Sequence, residues 1–546
     1  MKLFPFILLF SFVFTFKAFA QVENVPVSNP VYKFLMRYEA KGYLPAFSTS
    51  SLPLQRKQIA DALEKIQNKY DKLSSNEQRT LDGYLKEFQI TERENTAVFP
   101  DSGTEQIFFD HLFDGSEKFI YYYRDSSHSV SFSPLASADM IIEKIDDHSD
   151  HVLMGNLGFR LYGTLDQMVG YYLQVTNGAV LNGNREIALI DNKISQNVKF
   201  VELGSDFDFS ESHVNFQKDW FYFSIGRQTR LLGAGLFQRV FFSDNAPPMD
   251  AFDISARFEH FDYRFTHGSL IAIYPDTLTT GWAAGIPSKY VAQHRFALRP
   301  DWGEIAFWES VIYSKRGFDL AYLNPLSFFK SLEHALHDRD NAMMGLDATI
   351  RPIDGLQFKG SFLLDDIKFG EIGTGYWANK WAWNASLEFA LSGGIDLGLE
   401  YSRVEPYTFS HFDTLNAMTN DEMLFGGYIP PNADETALLL RWWWGDRYPL
   451  ELKFAYRRHG ENVYDENGEL IKNVGGDPLQ TRLNTDPYYV EFLDGNRVNF
   501  LMMQLHAGWE IARGYNLHFL YRLQNRNSVN TSFLRIIFAF GDFNIL

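Results

Sequence analysis

The feature that most constrains this chain is a change of period. From about Lys118 onward apolar residues recur at every second position, and they do so almost to the end. Leu157, Phe159 and Leu161 alternate with Gly158, Arg160 and Tyr162, and Val169, Tyr171, Leu173 and Val175 share a face. Leu450, Leu452, Phe454 and Tyr456 alternate with Glu451, Lys453 and Arg457; Leu517, Phe519 and Tyr521 alternate with Asn516, His518 and Arg522. A period of two means strands with unlike faces. Tight turns are predicted at 300–303, 353–355, 392–394, 445–449 and 512–514, where Gly, Pro or Asp supply the turn chemistry. Long connections fall between the hairpins, near 314–343, 365–380, 404–435 and 458–497. Short turns on one side and long loops on the other is the pattern of outer-membrane barrels, and a soluble sandwich or propeller has no reason to sort its loops this way. Leu438, Leu440, Trp442 and Trp444 fall on one face with Arg441 opposite, which suits lipid and an aromatic girdle outside and a polar lumen inside. Roughly eleven strands follow Tyr290 and about seven precede it. The expected fold is therefore an all-β transmembrane barrel of about eighteen antiparallel strands over residues 101–546. The last strand is expected near Thr531–Phe540, although the chain ends Phe543-Asn544-Ile545-Leu546 and not on an aromatic residue.

Two segments precede the strands. Met1–Ala20 has a basic start at Lys2, an apolar stretch from Leu3 to Phe16, and Ala18-Phe19-Ala20 before Gln21. This reads as a secretory signal peptide, and its apolar run is shorter than the ~20 residues of a spanning helix. Residues 29–90 are helical in pattern: Val31, Phe34, Leu35 and Tyr38; Ile59, Leu63 and Ile66; Leu81, Tyr84, Leu85 and Phe88. Ser74 and Glu77 fit a capping box at the third helix, and Gly42, Pro45 and Pro53 separate the first from the second. The segment 21–100 is thus expected to be a small periplasmic α-helical bundle, too small to be very stable alone and so docked on the strand region.

Composition narrows the function. The 546 residues contain no cysteine, which excludes a disulfide scaffold, a thiol nucleophile, a Cys zinc site, an iron–sulfur cluster and a lipidated N-terminal cysteine. The net charge is −18; without residues 1–20, which hold two lysines and no acids, 48 basic residues face 68 acidic ones, giving −20. No nucleic acid is expected as a partner. Export removes access to ATP and nicotinamide chemistry. No Gly-x-Ser-x-Gly elbow or other framed nucleophile is present, so neither an enzymatic activity, a cofactor nor a metal is expected.

Three stretches fit neither strand nor generic loop. In 226–248, Arg227 and Arg230 precede a bend at Gly233 and Gly235, and Ser243-Asp244-Asn245 runs into Pro247-Pro248. Arginine forks suit anionic oxygens, and Asp244 and Asn245 beside Phe241 and Phe242 suit sugar hydroxyls and a sugar face. The same residues equally describe a structured turn with arginines paired to lumen acids. In 321–347, Glu333, His334, His337, Asp338, Arg339, Asp340 and Asn341 crowd a short span. It suits a charged loop folded across the lumen as a plug, and His334 and His337 only weakly suggest metal ligation. In the loops 404–435 and 458–497, Tyr407, Phe409, Phe412, Tyr488, Tyr489 and Phe492 offer faces for sugar rings or for loop packing, and Arg457, Arg458 and His459 sit at a loop base. Tyr464–Glu469 reads as a hairpin tip turning at Asn467-Gly468 and not as a calcium loop.

The motifs VPVSNPVYKFLMRYEAKGYL (25–44), PLQRKQIADALEKI (53–66), LSSNEQRTLDGYLKEF (73–88), IGRQTRLLGAG (225–235), FSDNAPP (242–248), KYVAQHRFALRP (289–300), AYLNPLSFF (321–329), DRDNAMMGLDATIRP (338–352) and LLDD (363–366) run in order along nearly the whole chain. In these the sequence resembles the capsule assembly Wzi family, particularly its Bacteroidetes-type members. The resemblance implies a periplasmic helical bundle, an outer-membrane barrel, and a surface lectin that binds capsular or exopolysaccharide and helps attach it to the cell. Its partners would then be polysaccharide, outer-membrane lipid or lipopolysaccharide, and polysaccharide export machinery. It brings no catalytic residues, and the family's sugar-contacting residues lie in variable loops that transfer no positions here. The alternative function is a sugar-permeable porin, which predicts ion conductance.

Overall fold

The computed structural model describes residues 21–88, 95–98, 106–195, 206–272 and 287–541; the leader read at 1–20 and the chain end at 542–546 lie outside the described residues. Eighteen antiparallel strands close one barrel, seven before Lys289 and eleven from Lys289–Leu298 onward. The first, Ser129–Ile145, pairs with the last, Val529–Phe540, through Ala136↔Phe540 to Ile145↔Thr531. Closure leaves no sheet edge in the wall, which a strand-built membrane protein requires.

Tight turns at 166–168, 219–220, 258–260, 299–302, 354–355, 391–394, 443–449 and 513–514 gather at one end of the barrel. Long loops at 229–248, 315–340, 367–379, 405–432 and 462–495 gather at the other. Only 146–147 and 527–528 are short on the long-loop side. In Ala433–Trp442, Glu435, Ala437, Leu439 and Arg441 are buried inside, while Leu438, Leu440 and Trp442 are exposed outside. Trp444 departs from this alternation: it lies past the strand, in the turn, and its Nε1 donates to Tyr448 O at 2.9 Å. Outward Leu157, Ile225, Leu298, Ile305, Leu346, Leu399 and Leu501 are also exposed. A belt of this extent is unfavourable in water and is what a bilayer covers.

Three helices, α1 (Val31–Ala40), α2 (Arg56–Gln67) and α3 (Ser75–Phe88), sit at the short-turn end. The expected box forms: Ser74 N–H donates to the Glu77 carboxylate at 2.9 Å, and Glu77 N–H donates to Ser74 Oγ at 3.4 Å. Phe34, Tyr38, Ile59, Leu63, Leu81 and Tyr84 form the helical core, and Trp443 from a barrel turn completes it, its ring edge-on to Phe34 at 5.2 Å. The unit therefore does not close on its own apolar face. Its polar anchor is Arg37, fully buried, which donates to Glu77 at 2.8 Å, to Ile395 O at 2.9 Å and to Asp396. Glu87 pairs with Arg447 at 2.7 Å, and Tyr84 O–H donates to Arg447 O at 2.6 Å.

Burial alone raises the Glu77 carboxyl, but Lys41, the Ser74 N–H and Arg37 outweigh it and hold it down to about 2. A carboxyl depressed in the folded state stabilises fully above its unfolded value of 4.5 and loses that contribution as pH falls toward 2. The shift corresponds to about 3 kcal/mol at neutral pH. Glu77→Gln should therefore weaken protection of α1 and α3 in hydrogen exchange at pH 7. The difference from wild type should shrink below pH 4 and vanish near pH 2; a difference constant with pH would refute this assignment.

Candidate functional site

Much of the interior is occupied by the chain that leaves the wall after Gln228. Strand Phe221–Gln228 ends there, and Leu231–Leu232 pairs deep in the lumen with Ser51–Leu52, beside the helices. Gly233 turns with a φ of 115°, and a Cβ on Gly235 would lie 2.1 Å from Gln238 O, so the bend needs glycine for conformation and for space. The tip is held by Glu400 on the wall, whose carboxylate accepts N–H bonds from Leu236 at 2.6 Å, Phe237 at 3.1 Å and Gln238 at 2.8 Å. Phe241 stacks on Trp308 at 4.6 Å and Phe242 on Phe425 at 5.1 Å, so these rings are packing and not sugar faces. Loop 405–432 fills the space above, with Phe409, Met418 and Phe425 against wall residues Val291, Met343 and Ala382.

The first group of expected site residues is divided by this geometry. Arg230 is buried in a salt bridge with Asp253 at 2.9 Å, shared with Arg264 at 3.1 Å, so it is structural. Asn245 Nδ2 donates to Leu424 O at 2.8 Å, and its backbone N–H donates to Ser243 Oγ at 3.2 Å, fixing the turn. Arg227, paired with Asp250 at 2.6 Å, and Asp244, which accepts from Tyr428, come together on one cavity. That cavity, of about 260 Å³, also takes in Asn156, Gln174, Thr176, Asp139 and Arg535 from the lumen wall. Arg535 is bound by Asp139 at 2.6 Å and by Asp191. Asn156 Oδ1 and Thr176 Oγ1 are buried there without a hydrogen-bond partner, a chemistry that hydroxyl groups of a ligand or water satisfy.

Arg457, Arg458 and His459 do not form one cluster. Consecutive strand residues face opposite ways, so Arg457 turns inward to Glu435 at 2.8 Å and Arg458 outward to Asp434. His459 lies inward with Nε2 3.0 Å from Gly476 O. Tyr464 to Glu469 is the expected hairpin tip, with Asp465 accepting from Asn467 and Glu469 N–H at 2.9 and 2.8 Å.

The expected plug is the largest correction. Segment 315–340 does not cross the lumen; it lies against the outside of the wall, packed on outward-facing Phe265, Ala292, Val311 and Tyr313. Glu333 pairs with Lys330 at 2.8 Å, Asp340 with Arg316 at 2.6 Å, and exposed His334 lies 3.7 Å from Asp338. His337 and Arg339 are exposed, while Asn341 Nδ2 donates to Asn416 O at 2.9 Å. Length and charge suggested a plug, but its apolar residues suit the outer wall, and the glycine bend at 233–235 suits the lumen.

Above the barrel, loops 367–379 and 462–495 are joined by backbone bonds: Trp377 N–H donates to Tyr488 O at 3.0 Å and Val490 N–H to Gly375 O at 2.8 Å. This brings Tyr376, Trp377, Tyr488 and Tyr489 together. Tyr376 stacks near Tyr488 at 6.4 Å and 26°, and Tyr489 is 6.2 Å from Tyr376. Arg482 lies over Trp377 and Tyr488, at 4.7 and 4.9 Å, and Lys368 lies over Tyr376 at 4.8 Å. Tyr488 and Tyr489 are 61% and 57% exposed. The outcome is an aromatic platform edged by cations. Of the other loop aromatics, Tyr407 and Phe409 are buried, Phe412 is exposed, and Phe492 packs under Arg403 at 3.7 Å. Tyr376, Trp377, Lys368 and Arg482 were missed; the Tyr-Trp pair within a long connection was the available signal.

No model of a known protein family matches the chain, and no curated protein matches it. Among solved structures it is similar to Wzi of Escherichia coli, described as an outer-membrane protein involved in group 1 capsule assembly and a carbohydrate-binding β-barrel. The identity is 11% and the TM-score 0.57, over 95% of this chain and 99% of that one. It also aligns with OccD1 (OprD), at 14% identity and a TM-score of 0.43 over 79% of this chain and 98% of that one. OccAB4 of Acinetobacter baumannii aligns at 9% and 0.43, over 76% and 98%. The chain thus has a Wzi-like fold, that of an outer-membrane β-barrel.

Because Glu400 accepts three N–H groups, one buried and two part-buried, Glu400→Ala strands them at a cost on the order of 3 kcal/mol. The lumen segment should loosen. In planar bilayers the variant should conduct more than the wild type; equal traces would show that other contacts hold the segment.

Proposed function

We propose that this protein is an outer-membrane lectin-like barrel that binds surface or capsular polysaccharide and helps hold it on the cell. The observation that carries the reading is the platform of exposed Tyr488 and Tyr489 beside half-buried Tyr376 and Trp377, with Arg482 and Lys368 against the rings. Aromatic faces take the apolar faces of sugar rings, and the cations address carboxylates or ring hydroxyls. The platform stands on the long-loop end, which faces outward when the short turns are periplasmic. On that orientation the helices lie in the periplasm, against the inner mouth, consistent with export by the leader. The similarity of fold to a carbohydrate-binding barrel supports the same reading. Segment 229–248 and loop 405–432, packed in the lumen against Trp308, Val291, Met343 and Ala382, take up space that permeation would need, which favours binding. No catalytic step is assigned to the protein.

Purified protein in detergent should bind surface polysaccharide from its own source cells saturably. Replacing Tyr488 and Tyr489 with alanine removes two stacking faces worth about 1 kcal/mol each, so binding should weaken roughly thirtyfold. The barrel should remain folded by its heat-shifted mobility. Undiminished binding would move the site away from the platform, and no binding by folded wild type would sink the reading for this ligand.

A further inference from the structure

We propose that the long-loop segment 315–340 is a membrane-embedded strap, laid down the outer wall of the barrel and bathed by the acyl chains of the bilayer. The inference goes beyond polysaccharide binding and uses only the premise that the barrel sits in a membrane.

Strand alternation fixes the side. In Gly303–Ser314, Glu304, Trp308 and Ile312 face inward, toward Ser48, Phe241 and the lumen cluster. Glu309, Val311 and Tyr313 therefore face outward. By the same rule Arg295 is inward and His294 outward. The strap covers these outward positions. Its helix α4 (Phe329–Ala335) begins on Glu309, whose carboxylate accepts N–H bonds from Phe329 at 2.9 Å and Lys330 at 2.8 Å. His294 Nε2 lies 2.8 Å from the same carboxylate, and its ring stacks on Phe329 at 4.6 Å. Pro325 O accepts from Tyr263. Tyr263 lies six positions along the strand from Ser269, the rim partner of Tyr290, about 20 Å of strand and about 15 Å of depth at the ~40° tilt of such barrels. The strap thus descends past the middle of the wall.

Three observations commit its outer face to lipid. In the descending half, Phe318, Leu320, Leu326 and Phe328 are 64%, 82%, 82% and 50% exposed, and no exposed charge lies among them. These side chains continue the apolar belt of neighbouring Phe296, Ile305 and Leu346. Exposed His334, His337, Asp338 and Arg339 all belong to the returning half, from the last turn of the helix to the rim at Asn341. The backbone is equipped for hydrocarbon, where an unpaired polar group costs several kcal/mol. Ala321 N–H donates to Asp319, Leu326 N–H to Asn324 Oδ1, Ser327 N–H to Asn324 O, and the start of α4 to Glu309. Glu309 and the strap need one another: a carboxylate in mid-wall would be untenable bare, and the helix start would be unpaired without it.

The absence of cysteine makes the test clean. Nitroxides are placed at Leu326→Cys and Leu320→Cys, at Leu438→Cys on the bare belt, and at Glu466→Cys on an exposed hairpin tip. The protein is reconstituted in phosphatidylethanolamine–phosphatidylglycerol vesicles. Collisions with oxygen, which partitions into lipid, should exceed those with a water-soluble nickel chelate several-fold at 320, 326 and 438, and the ratio should reverse at 466. Adding Glu309→Ala should raise chelate access at 326 and leave 438 unchanged. A lipid signature at 438 with chelate access at 326 equal to that at 466 overturns the strap. Exclusion of both colliders at 326 with spin–spin broadening overturns it in favour of a contact between two copies. A water signature at 438 would instead refute membrane placement of the barrel, and with it the premise. Polysaccharide binding should be unaffected by the labels at 320 and 326, which separates this proposal from the lectin reading.

Discussion

Buried carboxylates on the barrel wall fix where several of the segments outside the wall land. Each receives a segment arriving from elsewhere in the chain: Glu400 the tip of the lumen segment, Asp253 its entry through Arg230, Asp396 the first helix through Arg37, and Glu309 the helix on the outer face. A lone buried carboxylate is strongly unfavourable, and one that accepts two or three N–H bonds or a guanidinium is not. The strands thus specify where loops must land by offering acceptors that only the right segment satisfies. Such charge-assisted contacts add less net stability than their geometry suggests, because each carboxylate was well solvated before folding. Their larger effect is positional: the interior has few alternative ways to satisfy the same acceptors.

This explains what could be read from sequence and what could not. Barrel, strand number, turn positions and the three helices follow from local rules: period two, period 3.6, turn residues and a capping box. The sorting of short turns from long loops came from the same local signals. Which loop enters the lumen did not, because it depends on partners far away in the chain, such as Leu231 with Leu52 and Gln238 with Glu400. The segment carrying Glu333 to Asn341 looked more like a plug because it is longer and more charged than 229–248. Those charges mark its return to the rim, and the decisive residues were the apolar ones before them.

The site shows the same limit at finer scale. Arg457, Arg458 and His459 are adjacent in sequence, and the pleat separates Arg457 from Arg458 by the thickness of the wall. Tyr488 and Tyr376 are more than a hundred positions apart, and a two-loop backbone bridge makes them neighbours. Adjacency in a strand therefore argues against a shared site, whereas aromatic residues in two long loops at the same end argue for one. Strand parity alone would have separated the arginines; only loop packing could have joined the tyrosines.

Charge follows this division of labour. The chain carries 68 acidic and 50 basic residues, a balance that would repel an acidic polysaccharide if it were spread evenly over the binding face. Much of the acid is instead neutralised inside, in pairs such as Glu304 with Arg299 and Asp347 with Arg295. Screening at physiological salt limits the remaining field to about 8 Å, so a ligand at the platform responds mainly to what is close by. There it meets Arg482 and Lys368 beside exposed rings. At its outer loops an acidic protein can thus present aromatic rings beside Arg482 and beside Lys368, the latter 3.7 Å from Glu371, and the overall charge says little about which glycans such an edge accepts.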